Sequence, residues 1–176
     1  MDELNTLIFR TDRIGDFIIS SPFILSYKKK FNKNNIIIIS SEYNFNYLKN
    51  FKFVNRIFPL KNEIKFFRKI IVLFKMIFLL RRTKYSNIII LDGKNRSFFI
   101  SLFLNGKKSI LLQSKNLEFL SKIFKYKRVF NYEIQNQLKN FSFLASNLDF
   151  NIDLKAIDIY KDHSFKAIDR INNKYI

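Results

Sequence analysis

Three short runs of this chain are large and apolar throughout, with no polar residue between: Leu7-Ile8-Phe9, Ile36-Ile37-Ile38-Ile39 and Ile88-Ile89-Ile90-Leu91. A strand with one wet face alternates apolar and polar positions. An unbroken β-branched run instead predicts a strand covered on both faces, as in parallel sheets flanked by helices. Helical spacing lies between and after these runs, at 22–31, 43–50, 61–84, 97–104 and 131–148. Further strands are expected at 53–58 and 108–112, and further elements at 117–124, 156–160 and 164–173. Pro22 suits a first-turn position of its helix, and Pro59 the end of the 53–58 strand. The alternation predicts an α/β fold with a doubly wound, parallel, Rossmann-like sheet.

At 176 residues the chain holds one domain, expected over 1–150, with 151–176 as the start of a linker or second domain. There are no cysteines, which excludes disulfides and thiolate metal sites, and the single histidine, His163, argues against histidine-based metal or triad chemistry. Three glycines and two prolines argue against an all-β fold rich in tight turns. The net charge is +18 and the pI near 10.1. That charge suits a polyanionic partner: nucleic acid, anionic lipid or a phosphorylated sugar. Lys, Asn, Ile and Phe are all abundant together, however, as in any A+T-rich coding sequence, so charge alone selects no partner.

The chain opens on Met1-Asp2-Glu3 and its first apolar run is broken at Arg10, which does not fit a secretory signal. The most apolar stretch, 70–80 (IIVLFKMIFLL), is interrupted by Lys75 and falls short of the roughly 20 residues a bilayer span needs. A cytoplasmic location is expected. Residues 61–84 carry apolar side chains at helical spacing among Lys65, Arg68, Lys69, Lys75, Arg81, Arg82 and Lys84. Such a helix either lies on an anionic membrane surface or crosses over the sheet with a solvated basic face.

The chemistry concentrates in 5–22, NTLIFRTDRIGDFIISSP, where the first apolar strand meets a charged turn and then a helix. In open α/β sheets ligands sit beyond the carboxyl ends of the strands, where such turns lie. Asp16 is placed to accept a proton from a hydroxyl nucleophile, or to cap a helix N-terminus or pair with Arg13. Arg10 and Arg13 are suited to phosphate, or to neutralising Asp12 and Asp16. Gly15 supplies an unusual backbone angle or close approach of a ligand. A second charged turn, Asp92-Gly93-Lys94-Asn95-Arg96, ends the 87–91 strand, and two such turns would face one crevice; the plainer alternative is a helix cap at Asp92. The G-x-G-x-x-G and Walker A patterns are absent.

The pattern R-T-D-R-I-G-D followed by S-S-P and a helix, over 7–22, resembles the opening of the heptosyltransferase-like glycosyltransferases of family nine. The resemblance continues through 41–47, F-V-N-R-I-F-P-L at 53–60, Y-S-N-I-I-I-L-D-G at 85–93 and the helix at 132–148. It implies the N-terminal half of a GT-B fold, the half that receives the acceptor, with the nucleotide-sugar donor bound by a C-terminal half. Transfer is inverting and needs no metal or other cofactor, and Asp16 is the implied catalytic base.

Candidate substrate-binding residues are Arg10, Thr11, Arg13 and Gly15 in the first turn and Asp92, Gly93, Lys94 and Arg96 in the second. The implied acceptor is a lipid-linked or phosphorylated saccharide of the cell envelope or lipopolysaccharide. It gives the basic helix at 61–84 a use as a peripheral contact with the inner membrane face. Nothing in the sequence corresponds to the donor-binding half, so the expectation is a truncated product, one half of a split enzyme or a stand-alone module, with little turnover alone. The rival is a non-catalytic basic module for nucleic acid or an anionic membrane surface. No recognised motif supports nucleic acid.

Overall fold

A computed structural model of the chain describes residues 4–63, 65–112, 127–130 and 137–153. In chain order these form β1 (Asn5–Arg10), α1 (Ile14–Lys30), β2 (Asn35–Ser41), α2 (Glu42–Leu48), β3 (Arg56–Leu60) and α3 (Phe66–Leu80). There follow β4 (Tyr85–Ile90), α4 (Asn95–Leu102), β5 (Lys107–Leu112), β6 (Lys127–Phe130) and α5 (Gln137–Asn147). The expected elements at 117–124, 156–160 and 164–173, and residues 131–136 of the helix expected at 131–148, lie outside the described residues.

All six strands pair in parallel, in the order β3-β2-β1-β4-β5-β6. The apolar runs resolve into two faces by the two-residue period of a strand. Leu7, Phe9, Ile37, Ile39, Ile88 and Ile90 meet Met76, Ile77 and Leu80 of α3 and Phe98 and Ile100 of α4. Ile8, Ile36, Ile38, Ile89 and Leu91 meet Phe17, Phe23, Ile24 and Tyr27 of α1, Leu48 of α2, and Phe141, Leu144 and Ala145 of α5. Both faces are dry, so no position in these runs tolerates a polar side chain without a partner.

At the amino-terminal edge of the sheet, the buried Tyr27 hydroxyl shares a hydrogen bond with Thr6 Oγ1 (3.0 Å) and accepts one from Asn87 Nδ2 (2.7 Å). Burial pushes the Tyr27 phenol above its ordinary value. This cluster fixes β1, β4 and α1 at the end opposite the charged turns.

Both prolines depart from the sequence expectation. Pro22 lies inside α1, which begins eight residues earlier at Ile14. It has no N–H for the carbonyl of Ile18, and Ser21 Oγ donates to that carbonyl instead, at 2.6 Å. Pro59 lies within β3, paired with Ser40, rather than ending a strand. β3 is an edge strand, where a missing donor is tolerated. Residues 53–55 precede the strand, and Phe53 and Val54 pack against the α1 side of the core. Strand β6 was not anticipated from the sequence.

Candidate active site

The order 3-2-1-4-5-6 reverses between β1 and β4, which pair directly. Connections leave the carboxyl ends of these two strands in opposite directions and open a crevice there. The two charged turns flank it and are tied together. Asp92 is buried, and its Oδ2 accepts from Thr11 N (3.2 Å), Thr11 Oγ1 (2.5 Å) and Ser97 Oγ (2.7 Å). Its Oδ1 accepts from Lys94 N at 3.2 Å. Helix α4 starts at Asn95, so Asp92 acts as the anchor of that helix entry and of the β1 turn together.

Arg10 is not placed to hold a substrate phosphate. It is 2 % exposed, and its guanidinium donates to the Asp16 carbonyl from Nε (3.1 Å) and Nη2 and to the Leu91 carbonyl from Nη1 (2.9 Å). Nη1 also lies 3.3 Å from Asp12 Oδ2. Burial lowers the Arg10 pKa, against the opposing pull of Asp12, Asp16 and Asp92. The residue holds the turn against the neighbouring strand. Gly15 likewise needs no special backbone: it sits in the first turn of α1, and a Cβ there would meet nothing within 4 Å. The left-handed glycine is Gly93, at φ 56°, between Asp92 and the start of α4.

A cavity of about 470 Å³ opens over the turns, lined by Thr11, Asp12, Arg13, Asp16, Ser41, Glu42, Tyr43, Asn62, Lys94 and Arg96. Asp16 is half-buried at the third position of α1, where Oδ2 accepts the Arg13 N–H at 3.2 Å. One oxygen thus caps the helix, and Oδ1 makes no hydrogen bond to a described residue, so capping and proton acceptance are compatible. Lys94 Nζ (3.0 Å) and Arg96 Nη2 (3.1 Å) both donate to the Thr11 carbonyl. Two cations therefore converge on one neutral oxygen, and neither forms an ion pair with a described residue. Arg96 Nε is buried without a partner, as is Asp12 Oδ1, a pattern that native interiors resolve with a ligand or water. Burial raises the Asp12 pKa, with Arg10 pulling it down.

The structure thus brings Thr11, Arg13, Asp16, Lys94 and Arg96 to one cavity, buries Arg10 and Asp92 beside it, sets Gly93 at the entry to α4, and leaves Gly15 exposed on α1 outside the lining. Asp12, Ser41, Glu42, Tyr43 and Asn62 were not among the expected site residues. Their signal was positional: each lies at or just beyond the carboxyl end of β1, β2 or β3. Among the described residues no group of three or more His, Cys, Asp or Glu side chains could hold a metal ion.

The fold and site define a Rossmann-like domain with a charged crevice at its topological switch point. No protein-family model matches the sequence, and no curated protein matches it. Solved structures do match in fold. One is the family 9 glycosyl transferase of Veillonella parvula DSM 2008, at TM-score 0.71 and 13 % identity, over 93 % of this chain and 50 % of that one. Another is E. coli heptosyltransferase WaaC with ADP, at TM-score 0.65 and 15 % identity, over 86 % of this chain and 49 % of that one. WaaC with ADP-2-deoxy-2-fluoro heptose matches at TM-score 0.65 and 17 % identity, over 86 % and 50 %. The chain has a heptosyltransferase-like, family 9 glycosyltransferase fold. It spans about half the length of these structures.

Proposed function

We propose that this chain is the acceptor-side half of an inverting, heptosyltransferase-like glycosyltransferase acting on a cell-envelope saccharide. The observation that supports it best is the company Asp16 keeps: a half-exposed carboxylate on a helix N-terminus shares one cavity with Arg13, Lys94 and Arg96, at the switch point of the sheet. In this reading Asp16 takes the proton from an acceptor hydroxyl as that oxygen attacks the anomeric carbon of the sugar. The nucleoside diphosphate departs with the electron pair of the broken bond, and the configuration inverts. Arg13, Lys94 and Arg96 hold phosphate or carboxylate groups of the acceptor, so that the two cations now sharing the Thr11 carbonyl gain an anion. The solved structures contain ADP and ADP-2-deoxy-2-fluoro heptose in chains of which this one covers about half. By analogy the nucleotide-sugar is assigned to a second half, and these 176 residues alone are expected to turn over little.

The test is Asp16→Asn, assayed for sugar transfer with a donor-binding half supplied. The amide oxygen retains the hydrogen bond from Arg13 N–H, so the fold survives while the proton acceptor is lost. Transfer should fall by about 10²–10⁴-fold. Transfer at the unmutated rate would refute the assignment of the base.

A further inference from the structure

Helix α3 does the work of a crossover helix and leaves a second apolar face in water. Met76, Ile77 and Leu80 are buried against the sheet, with Val72 and Leu73 packed beside them. On the outer side Phe67 is 80 % exposed, Ile71 52 %, Phe74 56 % and Phe78 57 %. Their spacing of four, three and four residues places them in one stripe along the helix. The stripe runs from residue 67 to residue 78, about 16 Å. Arg68 and Lys75, seven residues apart, form a parallel exposed row next to it, and Arg82, just past the end of the helix, lies 4.7 Å from the centre of the Phe78 ring. An open groove of about 470 Å³ lies on that side, lined by Lys61, Glu63, Arg68, Ile71, Lys75 and Leu79 among others, three cations against one carboxylate. Phe66, 69 % exposed, extends the apolar surface at the start of the helix.

We infer that this face of α3 docks on the surface of an anionic lipid bilayer. The occupant is chosen by charge: from Lys65 to Lys84 every charged side chain among the described residues is Lys or Arg, seven in all. An apolar stripe flanked by a cationic row matches an interface in which acyl chains lie beneath a sheet of negative headgroups. No helix among the described residues is long and apolar enough to cross a membrane, so the contact is a surface one. The placement also serves the site. α3 leaves the carboxyl end of β3, and Asn62 in that connection accepts from Arg96 Nη1 at 3.4 Å, so the aromatic start of the helix borders the same edge of the sheet as the cavity. The docking itself does not rest on the sugar-transfer reading.

The experiment is sedimentation of the full chain with vesicles of phosphatidylcholine alone or mixed equally with phosphatidylglycerol, at low and high salt. Binding is expected to the mixed vesicles, to weaken with salt, and to be at least tenfold weaker to neutral ones. Phe67→Ser with Phe74→Ser should reduce it at least tenfold, as should Arg68→Gln with Lys75→Gln. All four positions are exposed, and circular dichroism checks that each variant keeps its helices. The inference is overturned if the mixed vesicles are not bound, or if binding is unchanged in the aromatic variant. It is equally overturned if the free chain is a dimer that the aromatic variant dissociates, since the stripe would then be covered by a second copy.

Discussion

Arg10 shows how a residue chosen for function by its type is assigned to structure by its depth. A guanidinium at the end of an apolar strand has two fates, and at 2 % exposure the ligand-facing one is closed. Its donors reach the carbonyls of Asp16 and Leu91, joining α1 to β4, and its charge faces Asp12. Arg10→Met should therefore destabilise the fold by about 2–4 kcal/mol, because it leaves the buried Leu91 carbonyl, the part-buried Asp16 carbonyl and the partly buried Asp12 carboxylate without this partner. Urea denaturation measures that loss; a variant as stable as the parent would show that the contacts are dispensable. Asp16 differs because it stands one helical turn further out. Its carboxylate is only half-buried, and one oxygen completes the helix entry while the other stays unengaged.

At the level of single elements, α1 carries a proline eight residues past its first residue and does not break. The reason is local. Ser20 Oγ donates to the Phe17 carbonyl at 2.9 Å and Ser21 Oγ to the Ile18 carbonyl at 2.6 Å, so the S-S-P sequence supplies the donor that the ring removes. Ser21→Ala is expected to cost about 0.5–1 kcal/mol, read as a lower thermal midpoint. An equal loss from Ser21→Gly and none from Ala would point instead to helix propensity. Helix α3 shows the same economy, with one face in the core and another turned to water. Of the two alternatives read from the sequence, a membrane-surface helix and a crossover helix, the packing of Met76, Ile77 and Leu80 shows the crossover, and the outer stripe carries the docking inference alone.

Across the whole molecule, the two charged turns act as one unit because β1 and β4, some eighty residues apart in sequence, are neighbours in the sheet. Asp92 is the stitch between them, and Asp92→Asn replaces a four-fold acceptor with a group that presents N–H donors to backbone N–H groups. A loss of about 1–3 kcal/mol is expected by denaturant titration. In the proposed reading, transfer with a donor half supplied should fall as well.

The unbroken apolar runs at 7–9, 36–39 and 88–91 determined by themselves that these strands would be covered on both faces, and their alternation with helices pointed to the parallel pairing that the structure shows. The charged turns after two of them marked the candidate site, because strand ends are where backbone and charge can meet water. What remained for the tertiary structure was every decision that depends on depth or on a distant neighbour. It buried Arg10, doubled Asp16 as a cap, absorbed Pro22 and Pro59, and gathered Ser41, Glu42, Tyr43 and Asn62 into the cavity wall. Sequence periodicity reports which face of an element turns inward. Strand order decides what stands opposite, and that follows from packing the whole sheet at once.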